Sequence, residues 1–195
     1  MIISLISSKG GTAKTTSSIY LACAAHSANP DLDIRLIDAD PQQSALDWAD
    51  TASRSSDGLP FPVFVANDAQ IGNLTDDGLT IIDTAPSFTT LTRTIIGKSD
   101  LCIITASPTP LDIRRAWKTV NVCGDKAAIL ITRANTRTKD FRETLASLRE
   151  DGANFFDTVI RSSVHYSQAF GTNPRKLYDY AQAWQEIREA TNGIE

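Results

Sequence analysis

Residues 9–16, Lys9-Gly10-Gly11-Thr12-Ala13-Lys14-Thr15-Thr16, put two glycines ahead of a lysine and a hydroxyl pair, a set of residue types suited to gripping phosphate. The glycines let backbone N–H groups curl around phosphate oxygens. A helix that starts where the loop ends adds the partial positive charge of its N-terminus. In such a loop Lys14 reaches the β- and γ-phosphates, and the Thr15 hydroxyl is a Mg²⁺ ligand. The general pattern G-x-x-x-x-G-K-[ST] is met only in part, because Ser8 stands at its first glycine and Ala13 at its second. If position 13 requires a positive φ, alanine costs about 1 kcal/mol there. Two acidic segments complete the set. Asp38-Ala39-Asp40-Pro41-Gln42 follows the apolar run Ile34–Ile37, and Asp83-Thr84-Ala85-Pro86 follows Leu79–Ile82. Carboxylates at the carboxyl ends of strands, on the edge that carries the phosphate loop, can hold Mg²⁺, its water or an attacking water.

Positioning these groups on one edge requires a sheet. Short β-type runs recur along the chain at Ile2–Ile6, Ile34–Ile37, Phe61–Val65, Leu79–Ile82, Leu101–Thr105, Ala127–Ile131 and Phe155–Ile160. Stretches with apolar residues at three- and four-residue spacing, such as Ile19, Cys23 and His26, lie between most of them. Several runs are apolar on both faces, as buried parallel strands are. The alternation predicts an α/β fold: a single P-loop NTPase domain over residues 1–195, with a mostly parallel twisted sheet and helices on both faces. The last helix is predicted to start at Pro174, with Leu177, Tyr180, Ala181, Trp184 and Ile187 as its apolar stripe. Its other side mixes acids with bases, which suits a helix docked on the sheet better than one lying on a membrane.

Composition narrows the class. With 195 residues, 42% of them hydrophobic, the chain suffices for one domain with a substantial core. No apolar run approaches the length of a membrane span, and the chain enters its first strand without a basic leader, so a cytoplasmic location is expected. The three cysteines, Cys23, Cys102 and Cys123, are scattered among apolar residues and read as buried thiols. A net charge of −4 supplies no global basic field, so any contact with nucleic acid must come from a local patch.

Lys9 adds what a general phosphate loop does not need. With it, the segment resembles the deviant Walker A box of the ParA/MinD ATPases, in which this second lysine reaches across a dimer to the partner's nucleotide. Asp38-Ala39-Asp40-Pro41-Gln42 is similar to the family's D-x-D-P-Q switch box, and Asp83-Thr84-Ala85-Pro86 to its Walker B element. Ser107-Pro108-Thr109-Pro110-Leu111-Asp112 resembles the proline loop that lies near the base and the dimer partner in small ParA proteins. Ile131-Thr132-Arg133 stands where relatives line the adenine pocket, often with asparagine; Arg133 either borders the base or merely ends a strand at the surface. The family usually has glycine where this chain has Ala13. The short ParF-like partition proteins, which lack a helix-turn-helix extension before the first strand, fit best, so sequence-specific operator binding is not expected.

The resemblance implies ATP and Mg²⁺ as cofactors and ATP hydrolysis to ADP and phosphate. It implies a catalytic set of Lys9, Lys14, Asp38 and Asp40, with Asp40 positioning the attacking water. The nucleotide contacts it implies are Lys9, Gly10, Gly11, Thr12, Ala13, Lys14, Thr15, Thr16, Pro110 and Arg133. The implied metal set is Thr15, Asp38 and Asp83, where Asp38 supports either the metal or the switch geometry. As partners it implies a second copy in an ATP-dependent homodimer, non-specific DNA of the nucleoid, and a ParB-like or other cargo adaptor, without a membrane. DNA segregation is the expected function. The alternative keeps the engine and moves a protein cargo, such as a microcompartment or chemoreceptor cluster. Further off stand an ATP-dependent metabolic enzyme of the dethiobiotin-synthase type and a nucleotide-gated scaffold without turnover. For DNA, Arg114, Arg115 and Lys118 lie together on the helix expected after Asp112, either as a phosphate-binding patch or dimer contact or as plain surface. Arg142 and Arg149 are flanked by Glu143 and Glu150 and read as a self-compensating face.

Overall fold

The computed structural model describes residues 1–66, 68–75 and 77–191. Six strands, β1 (Ile2–Ile6), β2 (Ile34–Ala39), β3 (Val63–Val65), β4 (Leu79–Thr84), β5 (Leu101–Ala106) and β6 (Ala127–Ile131), form one sheet in the order β3-β2-β4-β1-β5-β6. All pairings are parallel. Eight helices accompany them among the described residues: α1 (Lys14–Ala28), α2 (Ser44–Arg54), α3 (Asp68–Gly72), α4 (Thr90–Lys98), α5 (Pro110–Cys123), α6 (Lys139–Glu150), α7 (Val164–Gln168) and α8 (Asp179–Ala190).

Alternation along the buried strands sorts the core into two layers. Ile3 and Leu5 of β1 pack with α1, α2 and α8 on one face. On the other face Ile6 joins the α5–α6 cluster, while Ile2 joins Ile71 and Ile95 of α3 and α4. Helix α1 is buried from Ser17 to Ala25, between the sheet and α8, so its predicted single stripe understates its burial. Small residues allow this close fit, and the Ser17 and Tyr180 hydroxyls share a 2.8 Å hydrogen bond across the α1–α8 contact. Cys23, Cys102 and Cys123 are free, buried thiols. No helix among the described residues is long and apolar enough to cross a membrane.

Two sequence expectations are corrected. The run Phe155–Ile160 is not a seventh strand. It meets the β6 edge at its two ends, through the bridges Ile129–Phe155 and Ala134–Arg161 and the Ile160 N–H, which donates to the Ile131 carbonyl at 2.9 Å. Between them the carboxylate of Glu186, on α8, accepts the backbone N–H groups of Asp157 (2.9 Å) and Thr158 (2.8 Å), and also the Thr158 hydroxyl. A side chain thus takes the amides that a ladder would have used, and the middle of the run is peeled from the sheet.

Nor does the last helix start at Pro174. Residues 169–178 form a strap over α2, where Trp48 Nε1 donates to the Thr172 carbonyl (2.7 Å) and Asn173 Nδ2 donates to the Gly58 carbonyl (2.9 Å). At Gly171, φ is +72°, and a Cβ would sit 2.3 Å from the Thr51 methyl. Helix α8 begins only at Asp179, and it buries Ala183 rather than Ala181 beside Tyr180, Trp184 and Ile187.

Candidate functional site

Strand β1 lies at the centre of the sheet, and its carboxyl end runs into the phosphate loop and then α1. Connections leave β1 and β5 in opposite directions along the sheet, which opens a crevice beyond the strand ends. The register brings Asp38 of β2 opposite Asp83 of β4, and Asp83 opposite Leu5 of β1. Both acids therefore reach the loop's edge because three strands end at the same level.

Within the loop, Gly11 has φ +76° and Ala13 has φ +65°, ψ +26°. Ala13 does adopt the left-handed conformation, at the expected cost of about 1 kcal/mol. Lys14 is buried behind the loop without an ion pair among the described residues; burial lowers its pKa, with Asp83 and then Asp40 pulling the other way. The Thr15 hydroxyl donates to Asp83 Oδ2 at 2.6 Å. Asp83 is fully buried, its Oδ1 has no hydrogen-bond partner, and burial pushes its carboxyl up to about 7. A hydroxyl beside a carboxylate with one unengaged oxygen is the hard oxygen chemistry that fits Mg²⁺. Thr15 and Asp83 would hold the ion, which when bound supplies positive charge opposite the phosphates.

Asp38 is engaged otherwise. Its Oδ1 accepts the Asp40 N–H (3.0 Å), and its Oδ2 accepts the N–H groups of Ala45 (2.8 Å) and Leu46 (3.1 Å). It caps α2 and fixes the switch loop, so of the two roles the sequence left open, these bonds support the switch geometry. Burial raises its pKa and the backbone bonds oppose the rise. Asp40 is half-buried in a turn, where Oδ1 accepts the Gln42 N–H and its carbonyl accepts that of Gln43. The turn closes through Gln43 at φ +52°.

Lys9 lies at the loop's rim, 44% exposed, and its Nζ contacts both oxygens of Asp112 at 3.0 Å. Asp112, only 5% exposed on the first turn of α5, also takes Arg115 Nη1 at 3.3 Å. The lysine that the resemblance sends to a partner is held here within its own chain. In the sequence Asp112 is only the end of the proline loop; a lone acid two residues after a proline carries no signal of a lysine 103 positions away. Pro110 opens α5 behind the N-cap Thr109. It stands on the Lys9 side, outside the cavity that borders Arg133.

That cavity, of about 480 Å³, is lined by Gly11, Ala13, Thr16 and Arg133 on one side and by residues 160–164 and 166–167 with Tyr180 on the other. Arg133, at φ +52°, donates from Nη1 to the Gly11 carbonyl at 2.6 Å. No motif in the sequence marks the opposite wall. It is held by Asp179, whose carboxylate accepts from the Arg161 backbone N–H (3.0 Å) and guanidinium (2.6 Å). Tyr20, Tyr166 and Tyr180 pack ring against ring behind it. On α5, Arg114 and Lys118 are exposed and form no ion pair or hydrogen bond among the described residues, whereas Arg115 is drawn to Asp112.

Residues 3–174 match the family model of the CobQ/CobB/MinD/ParA nucleotide binding domain. The chain belongs to this family, and with its phosphate loop, Thr15–Asp83 pair and Asp40 turn it is an ATPase of the ParA/MinD kind that uses Mg²⁺. Among curated proteins it is 29% identical over 178 residues to "Maintenance of carboxysome distribution protein A" of Gloeobacter kilaueensis, covering 86% of this chain and 80% of that one. Two solved structures share the fold. A plasmid partition protein of Borrelia burgdorferi bound to AMPPNP has a TM-score of 0.75 at 17% identity, covering 98% of each chain. The ATP complex of a Cyanothece McdA variant also has a TM-score of 0.75 at 17% identity, covering 100% of this chain and 97% of that one.

Proposed function

We propose that the protein is an ATP-driven positioning ATPase whose nucleotide-bound form is a dimer. The observation that carries this reading is Lys9, a half-exposed cation at the rim of the phosphate loop, kept in place by one carboxylate of its own chain. ATP in two facing subunits offers Lys9 of each a more highly charged partner than Asp112, whereas ADP offers less. Hydrolysis would then release the dimer and whatever surface it had built. Positioning and charge neutralisation suffice for phosphoryl transfer to water, with Lys14 on the phosphates and Asp40 orienting the attacking water.

The dimer would travel on non-specific DNA of the nucleoid and meet its cargo through an adaptor that stimulates hydrolysis. Residues 110–151, spanning α5, β6 and α6, carry nine lysines and arginines against six acids in a chain whose net charge is −4. Within this basic segment, the exposed Arg114 and Lys118 are available to phosphate, and Arg115 less so. As cargo, a protein assembly of the microcompartment type is supported by the sequence likeness to a carboxysome distribution protein. Plasmid or chromosomal DNA, the cargo expected from the sequence, is supported by likeness of fold alone. Mass measured by light scattering with Mg²⁺–ATP, Mg²⁺–ADP or no nucleotide, each with and without DNA, tests the switch. An ATP-only dimer that binds DNA and is lost in Lys9→Ala is expected; a Lys9→Ala protein that dimerises as readily removes the proposed role of Lys9.

A further inference from the structure

We infer that Thr132 and Arg133, at the end of β6, are positioning residues that aim the amides of the phosphate loop, and that this function is separate from bordering the base. The inference rests on the nucleotide reading of the site. Two successive loop carbonyls are tied back to this strand end. The Gly11 carbonyl accepts Arg133 Nη1 at 2.6 Å, and the Thr12 carbonyl accepts Thr132 Oγ1 at 3.0 Å. In a trans peptide the C=O and the following N–H point in opposite directions. Pinning the Gly11 and Thr12 carbonyls toward β6 therefore turns the N–H groups of Thr12 and Ala13 away from it. They face the side of β1 where β4 carries Asp83 and where Thr15 meets it. Neither amide has a hydrogen-bond partner among the described residues.

The anchors are rigid. Thr132 is fully buried, and its own N–H donates to the Ala106 carbonyl at 2.8 Å, continuing the β5–β6 ladder. One strand over, the Thr105 and Thr12 hydroxyls share a 2.9 Å hydrogen bond that holds the Thr12 side chain on the same side as its carbonyl. The left-handed residues Gly11 and Ala13 flank Thr12, and alternation of this kind makes consecutive amides converge into an anion-binding concavity. The ties also supply what the sequence pattern lacks. Ala13 must be held at a φ that glycine adopts freely, and fixing the preceding peptide from outside the loop does so.

The test compares ADP with adenosine, which carries the base and ribose but no phosphate. Thr132→Val keeps the shape and removes the hydroxyl, Thr132→Ser keeps the hydroxyl, and Arg133→Ala removes the second tie from an exposed position. Calorimetric titration of Thr132→Val and of Arg133→Ala is expected to show ADP affinity reduced about tenfold each, the size of a misaligned hydrogen bond to a charged group. Adenosine affinity should stay within about twofold for Thr132→Val, and Thr132→Ser should restore ADP binding. Amide NMR shifts of Thr12 and Ala13 should move in Thr132→Val before any ligand is added. If ADP binds Thr132→Val as it binds the parent protein, or if ADP and adenosine weaken equally, the aiming role is overturned. If the parent protein itself binds no ADP, the nucleotide reading has failed instead. Should Thr132→Val not fold, Arg133→Ala decides the matter by the same ratio.

Discussion

The two ends of the cleft are built in different ways. At the phosphate end the groups are close in sequence or one strand apart: Gly11, Lys14 and Thr15 fall within five residues, and Asp83 meets Thr15 through strand register. At the base end the wall from residue 160 to 167 meets the end of β6 only at its start, through backbone bonds of Ile160 and Ser162 with Ile131 and Ala134, and it is further held by two carboxylates of α8. Glu186 holds the amides of Asp157 and Thr158, and Asp179 holds Arg161. The phosphate end inherits its rigidity from the central strands, whereas the base end, beyond its anchored start, depends on a helix that follows it in the chain. Substitutions at the first should therefore affect chemistry, and at the second affinity and local order.

The largest effect is expected at the phosphate end. Lys14→Met removes the buried cation behind the loop and should lower kcat by about 10²–10³, as loss of one preorganised charge does. Single-turnover hydrolysis measures this, and a fall of less than tenfold would mean that Lys14 is not where charge develops. Next is a pH effect at the same end. Burial raises the Asp83 carboxyl to about 7 in the folded chain, above its unfolded value, so the folded state binds the extra proton. Stability of the ligand-free protein should therefore fall as pH rises from about 4 to 7, by on the order of a few kcal/mol. Asp83→Asn should flatten that slope and raise Tm most near neutral pH. Thermal melts without Mg²⁺ or nucleotide check this, and parallel pH profiles for the two proteins would contradict it.

At the base end, Glu186→Ala should release residues 157–158 and raise KM for ATP about tenfold while kcat stays within about twofold, because hydrogen bonds to charged groups are worth about 1.5–3 kcal/mol. Faster hydrogen exchange at Asp157 and Thr158 should accompany it. A drop in kcat at constant KM would erase the distinction between the two ends. The smallest effect is expected from Ala13→Gly. Relief at φ +65° should stabilise the protein by about 1 kcal/mol at most, since glycine also loosens the unfolded chain. Denaturant midpoints measure this, and destabilisation would show that the Ala13 methyl makes a packing contribution larger than its strain.

Legibility in the sequence follows the same division. The parallel α/β sheet, the loop after β1 and the acids at the ends of β2 and β4 could all be read, because each depends on spacing within one element or on where a strand ends. Asp38 shows the limit: its place was readable, yet only the start of α2, folded back over it, leaves both its oxygens occupied by backbone amides. Lys9 shows it again, because its partner Asp112 lies on another element of the fold.

What the sequence alone determined was thus the chemistry of short range: a glycine-bearing phosphate loop, a hydroxyl suited to a metal, and an acid delivered beside it by a buried strand. Tertiary structure decided which polar groups would satisfy one another at long range. Glu186 claimed the amides of a run whose pattern reads as a strand, the strap over α2 kept Pro174 out of a helix, and the β6 end took the loop carbonyls. Local propensity is a matter of neighbouring residues, but a buried N–H or C=O takes whichever partner the packed chain brings within reach, and that partner is not encoded nearby.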